Sequence, residues 1–272
     1  LKLFKHHEHE IKYKVYGEVG PVILLLHGFG GGPQDWAEVI ISLSGRFRLI
    51  VPNIKTFFSS AQPMTYHQQV TLLALFIQEQ LKIKNVSRLS LVGQSYGATL
   101  TFGLAHLLRK QNSSSVIDKH VVLNPMPFHP FEKLRDKYLQ VLVNVSSAPG
   151  MIVSFLKSSM GKQSLEEAAK IFRIGGDQHF NERKLRLVHK AIERFVWIDQ
   201  NEDWAKWHTN ISRQPIENLI LFHSSADPLF NISDYKELAA QLNAKECISV
   251  DHSGHLLLQD CAKKLLELWP FR

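Results

Sequence analysis

Cysteine is nearly missing from this chain: only Cys247 and Cys261 occur among 272 residues. One pair in a chain of this size implies neither a disulfide framework nor a structural metal site. Long apolar runs are missing too, and the longest aliphatic stretch, Val22–Leu26, is far too short to span a bilayer. There is no internal repeat, no low-complexity tract and no dense basic block. The last absence matters because the net charge is +7 and the pI near 9.3, a balance that by itself favours an anionic partner. The basic residues are dispersed: Lys2, Lys5, Lys12 and Lys14 lie early, Arg183, Lys184, Arg186 and Lys190 much later. Without zinc-finger spacing or an RNA-binding aromatic motif beside them, they describe a basic surface, and nucleic acid is not an expected partner. The N-terminus turns polar at once and carries no signal-peptide pattern, which favours the cytoplasm, although a start on Leu1 rather than Met leaves room for processing. His6, His7 and His9 alternate with Glu8 and Glu10; with no matching ligands nearby in sequence, they read as an exposed strand or turn and no metal is expected.

What is present is an ordinary core-forming composition, 44% hydrophobic and 21% charged, over a length that suits one large domain with an inserted subdomain. Residues 1–16 read as two short strands, with Ile11, Tyr13 and Val15 alternating against Lys12 and Lys14. The continuous run Val22–Leu26 suits a strand buried on both faces. A helix is expected over Pro33–Leu43, a strand over Arg46–Val51 stopped by Pro52, and an amphipathic helix over Thr65–Leu81. Strand Ser87–Val92, helix Ser95–Leu108 and strand Val116–Leu123 continue the alternation, which predicts an α/β fold on a parallel sheet. Between 126 and 214 the pattern turns helical, with candidates over 131–145, 151–159, 164–171, 182–195 and 203–208. After Pro215 it resumes with strands Glu217–His223 and Lys245–Val250 and helices Ser233–Leu242 and Gly254–Trp269. The expected organisation is a core of 1–125 and 215–272, interrupted by a helical cap over 126–214.

The sharpest motif is Gly93-Gln94-Ser95-Tyr96-Gly97, between a strand and a helix. A nucleophile on so tight a turn adopts strained backbone angles, and close neighbours on either side must lack a Cβ. The helix start then supplies N–H groups and the positive end of a dipole. A serine needs a base and an acid, and Asp227 and His255 each follow a strand, on the sheet edge expected to hold Ser95. Their order, Ser95, Asp227, His255, is that of a known hydrolase arrangement. His252 and Asp251 compete for the two roles. His255 is favoured by the glycine before it and the helix after it, and Asp251 sits on the histidine loop itself. The loop His27-Gly28-Phe29-Gly30-Gly31-Gly32 follows the buried strand, and the N–H groups of Phe29 and Tyr96 are the expected oxyanion donors. A phosphate loop is the rival reading. It lacks the Gly-Lys-Ser/Thr ending and matches the dinucleotide fingerprint only loosely at Gly28, Gly30 and Pro33.

These segments together resemble the α/β-hydrolase superfamily, in particular its serine esterase and lipase-like branch with a helical cap. The resemblance implies an eight-stranded, mostly parallel sheet, a lid formed by the insertion, and no cofactor. It matches at the elbow around Ser95 (Gly93, Gly97), the oxyanion loop (Gly28, Phe29, Gly30), the acid Asp227 before Pro228, and the base His255 after Gly254. It departs where many members carry Asp-x-x-Gly-x-Gly-x-Ser: here the chain reads Pro52-Asn53-Ile54-Lys55-Thr56-Phe57-Phe58-Ser59-Ser60. The implied activity is hydrolysis of a carboxylic ester or related acyl compound, a small molecule with an apolar acyl or alcohol part. Thioester or carbon–carbon cleavage by the same triad is an alternative. So is a ligand receptor on the same fold without turnover. Epoxide and haloalkane hydrolysis on this fold needs a carboxylate nucleophile, which Ser95 is not. No feature of the sequence fixes an oligomeric state.

Overall fold

The computed structural model describes residues 1–29, 31–59, 64–84, 88–111, 116–126, 194, 197–214, 216–227, 229–251 and 257–269. The chain divides into two compact units, one made of Leu1–Phe128 with Glu202–Arg272, the other of His129–Asn201. The helical candidates over 131–145, 151–159, 164–171 and 182–195 belong to the second unit, and apart from residue 194 they lie outside the described residues. Within that unit Asn201 closes a helical turn, its N–H donating to the Trp197 carbonyl at 3.0 Å.

In the first unit eight strands form one sheet. They are β1 (Lys2–His6), β2 (His9–Tyr16), β3 (Val22–Leu26), β4 (Arg48–Asn53), β5 (Arg88–Gln94), β6 (Val116–Leu123), β7 (Leu219–Ser224) and β8 (Glu246–Val250), in the spatial order β1-β2-β4-β3-β5-β6-β7-β8. The first two form an antiparallel hairpin turning at His7, whose φ is +52°. β2 runs antiparallel to β4, and every later pairing is parallel. The expected fold class is therefore present. All five residues of β3 are fully buried, as a strand covered on both faces requires.

Strand alternation sorts the core into two layers. On one face Ile23, Leu25, Leu49, Val51, Val92, Val121 and Phe222 pack with helices α1 (Ala37–Leu43) and α7 (Leu258–Glu267), through Trp36, Leu43, Leu265 and Trp269. The Arg46 guanidinium donates to the Trp269 carbonyl at 2.7 Å and ties the end of α7 to the turn before β4. α3 (Tyr66–Lys84) packs against α4 (Tyr96–Lys110), and α5 (Trp204–Ser212) packs on α4 in turn. Burial near the hairpin comes from Phe76 of α3, which Phe4 and Tyr13 meet edge-on. α6 (Ile232–Gln241) packs on β7 and β8.

Three local differences from expectation have physical causes. The single helix expected over Pro33–Leu43 is a 3-10 turn, Pro33–Trp36, followed by α1; such tightened turns are common at helix starts. β4 runs through Pro52 where a stop was expected. Its pairing with β3 ends at Ile50, so the N–H that Pro52 lacks is not needed on that side. The stretch that departs from the family pattern, to which the sequence assigns no element, contains the short helix α2 (Thr56–Ser59). Asn53 builds its entry: its Oδ1 accepts from the Lys55 N–H at 3.1 Å, and its carbonyl accepts from the Thr56 hydroxyl at 3.1 Å. An asparagine thus makes a turn in a stretch where many members of the family carry glycines.

Candidate active site

Ser95 sits between β5 and α4 with φ +52° and ψ −123°, a conformation L-residues avoid. Strain of that kind costs on the order of 1–3 kcal/mol and persists only where the surroundings over-determine it. They do so here. The Ser95 N–H donates to the Leu123 carbonyl of β6 at 2.8 Å, and the Ser95 carbonyl accepts from the Ala98 N–H at 2.9 Å. A Cβ on Gly93 would lie 2.6 Å from Ala98 Cα, and one on Gly97 would lie 2.4 Å from both the Leu26 and His27 carbonyl oxygens. Strand β3, strand β5 and helix α4 meet so closely that only glycine fits at either position. Ser95 itself is 6% exposed.

The loop after β3 lies beside it. A Cβ on Gly28 would stand 3.2 Å from Ser95 Cβ and 3.8 Å from its Oγ. The Gly28 carbonyl is held by two donors, the Gly31 N–H at 3.1 Å and the His27 ring at 2.8 Å. Because a carbonyl only accepts, His27 Nδ1 carries the proton. Its Nε2 accepts from the Ile54 N–H at 3.1 Å, so the ring is the neutral Nδ1–H tautomer. Burial, the largest influence, pushes His27 down to about 4, against the opposing pull of the Gly28 carbonyl and Asp35. In a trans peptide the carbonyl and the next N–H point in opposite directions. Fixing the Gly28 carbonyl therefore fixes the direction of the Phe29 N–H. Asp35 steadies the far side of the loop, its Oδ2 accepting from the Gly32 N–H at 3.0 Å.

Tyr96 opens α4, so its backbone lies at the positive end of the helix dipole. Its buried phenol donates to Gln69 Oε1 at 3.0 Å, and Gln69 Nε2 donates to the Met64 carbonyl at 2.8 Å. α3 thereby clamps the residue that follows Ser95. A second clamp is Tyr66, whose hydroxyl donates to the Thr99 carbonyl at 2.6 Å and accepts from the Gly103 N–H. The departure segment also reaches this region. Phe58 of α2 lies edge-on to both Phe29, 4.7 Å between centroids, and Tyr96, 5.5 Å. The three rings make one apolar cluster, of which Phe29 is the partly exposed member.

Asp227 follows β7, two strands from β5 on the same carboxyl edge. Its Oδ1 accepts from the Leu229 N–H at 2.7 Å, and its Oδ2 from the Tyr235 hydroxyl at 2.5 Å. The loop is joined to the end of β8 by the Ser225 N–H, which donates to the Val250 carbonyl at 3.1 Å. The rival acid Asp251 is exposed at that end of β8. His255, its rival His252, and Gly30 lie outside the described residues. The structure thus brings Ser95, Gly28, Gly93, Gly97, Phe29 and Tyr96 together, and sets Asp227 on the same edge. Sequence reasoning gave no part to His27, Phe58 or Tyr235. His27 had a signal, its place at the head of the glycine loop; Phe58 and Tyr235 depend on contacts no local pattern carries. Among the described residues there is no cluster of three or more His, Cys, Asp or Glu that could hold a metal ion, and no helix long and apolar enough to cross a membrane.

Comparison with known proteins bears on this arrangement. A family model described as alpha/beta hydrolase fold matches residues 21–171. A Mycobacterium bovis protein of uncharacterised function is 28% identical over 100 residues, 37% of this chain and 29% of that one. Lipase 3 of Moraxella sp. (strain TA144) is 30% identical over 105 residues, 37% of this chain and 33% of the lipase. This chain thus matches about a third of the length of these curated relatives. An alpha/beta hydrolase fold protein from Burkholderia ambifaria superposes with a TM-score of 0.66 at 15% identity, over 98% of this chain and 96% of that one; at that identity the likeness speaks for the fold.

Proposed function

Because the chain belongs to the α/β-hydrolase fold family, we propose that it is a serine hydrolase of carboxylic esters or related acyl compounds. The observation that carries the proposal is the strained backbone of Ser95, held at φ +52° on a turn where Gly93 and Gly97 leave no room for a Cβ. A merely structural serine has no reason to occupy a position that glycine would fill at lower cost.

In this reading Ser95 Oγ attacks the acyl carbonyl while His255 takes its proton. Asp227 orients His255 and stabilises the imidazolium. The N–H groups of Phe29 and Tyr96 receive the oxyanion of the tetrahedral intermediate. His255 then protonates the departing alcohol, and water, activated by the same base, releases the acid and restores Ser95. The fixed Gly28 carbonyl supports the Phe29 assignment, since a preorganised donor needs no reorganisation during reaction. The aromatic cluster of Phe29, Phe58 and Tyr96 supports a substrate with an apolar acyl or alcohol part.

The test is a panel of p-nitrophenyl esters of increasing chain length, run beside the matching thioesters, with Ser95→Ala as the comparison. Ester turnover that Ser95→Ala lacks supports the proposal. A thioester preference moves the substrate class but keeps the nucleophile. Turnover equal to that of Ser95→Ala at every chain length contradicts the proposal and favours a ligand receptor.

A further inference from the structure

Tyr235 lies outside the proposed machinery and grips its acid directly, through Asp227 Oδ2. It lies on α6, is 1% exposed, and its hydroxyl donates to Asp227 Oδ2 at 2.5 Å. Its ring stacks on His223 of β7, centroids 5.5 Å apart and planes within 15°, and meets Phe230 edge-on. The helix that carries it is fixed at its start by reciprocal contacts between Asn231 and Asp234, the Asn231 N–H donating to Asp234 Oδ2 at 2.9 Å. Ring and helix are therefore held by contacts that do not involve the hydroxyl. The other oxygen, Oδ1, accepts from the N–H groups of Leu229 at 2.7 Å and Phe230 at 3.4 Å.

Resting on the reading of Asp227 as the acid, we propose that Tyr235 is a positioning residue for the reaction: its hydroxyl sets both the orientation of the Asp227 carboxylate and the negative charge that carboxylate offers to the base. The backbone N–H groups hold Oδ1 and the phenol holds Oδ2, so the hydroxyl fixes the rotation of the carboxylate about its Cβ–Cγ bond from the second oxygen. The same hydrogen bond draws charge density from the oxygen. Burial first, and then the neighbouring Asp227 charge, hold the Tyr235 phenol well above its ordinary range, so it is a protonated donor at neutral pH. Among the described residues, titratable groups that face the pair include His223 from β7 and Asp234 from the first turn of α6. Cys247 of β8 meets α6 beside Lys236.

The sign of the effect follows. A hydrogen bond to the ionised carboxylate lowers its proton affinity and weakens its hold on an imidazolium. Removing the hydroxyl strengthens that hold, so the base retains its proton to higher pH. The experiment is the second-order rate of fluorophosphonate labelling at Ser95 as a function of pH, in wild type and Tyr235→Phe. The variant keeps the ring stack and loses only the hydroxyl. We expect the midpoint of the acidic limb to rise by roughly half a pH unit and the plateau rate to fall several-fold. Replacing Tyr235 with 3-fluorotyrosine, a stronger donor of nearly the same shape, shifts the midpoint downward instead. Opposite shifts in the two variants are the signature; packing alone does not produce them. Profiles that superimpose on the wild type in both variants overturn the proposal while leaving the serine hydrolase reading intact. Failure of the wild type to label at Ser95 overturns that reading itself, a distinct outcome.

Discussion

The Ser95 turn and the Asp227 loop occupy the same edge of the sheet and are held there by different means. Ser95 is fixed by backbone: hydrogen bonds to Leu123 and from Ala98, and two positions where carbonyl groups and helix backbone crowd out any Cβ. Asp227 is fixed by what donates to it, two nearby backbone N–H groups and a phenol eight residues away on another element. The first arrangement is steric and leaves almost no substitution open. The second is polar, so its strength can be adjusted by single atoms. A position that must present a nucleophile at one angle suits the former, and one whose charge must be matched to a partner suits the latter.

The difference is easiest to break at the glycines. Gly97→Ala places a methyl group 2.4 Å from two carbonyl oxygens, those of Leu26 at the end of β3 and His27 just after it, and β3, paired on both sides, cannot move without disturbing the sheet. We expect a loss of about 3 kcal/mol or more in denaturant unfolding, with labelling at Ser95 abolished. Acid comes next in size. His27 and His120 are buried and neutral, pushed by burial down to about 4 and about 3. An unfolded histidine titrates near 6.5, so the unfolded chain takes up protons first. Stability is full above that value and falls as pH drops toward 4, by about 1.4 kcal/mol per unit of difference for each group. Unfolding measured from pH 7 to 4 shows this slope, and His120→Gln, at a site far from Ser95 in the sequence and bonded to Thr101, flattens it. Smaller and opposite in sign is Ser95→Gly. It relieves the left-handed strain and should raise stability by about 1 kcal/mol while removing the nucleophile, a gain visible as a higher melting temperature. Ile41→Glu, on the 79% exposed outer face of α1, sets the floor: within about 0.5 kcal/mol of wild type.

The same contrast explains what could be read before the structure. The Ser95 turn was legible because its constraints are local: a strand, two glycines two residues from a serine, a helix. The buried β3 strand was equally plain in five consecutive aliphatic residues. Phe58 and Tyr235 were not, since one reaches Phe29 and Tyr96 across the loop junction and the other reaches Asp227 from a separate helix. α2 was missed for a related reason. Its entry turn rests on the Asn53 side chain, which accepts from the Lys55 N–H, and on the Thr56 hydroxyl, which donates to the Asn53 carbonyl; neither bond leaves a mark in the local sequence pattern. The segment lacking the expected glycines nonetheless supports the glycine loop, because the Ile54 N–H fixes the His27 tautomer.

The central claim is that Ser95 is an activated nucleophile, and active-site labelling tests it most directly. Folded wild-type protein is incubated with a fluorophosphonate probe and the modified residue is located by peptide mass spectrometry, with Ser95→Ala treated in parallel. The account predicts one adduct per chain, on Ser95, and none in the variant. An unlabelled wild type, or equal labelling of Ser95→Ala at another serine, would contradict it.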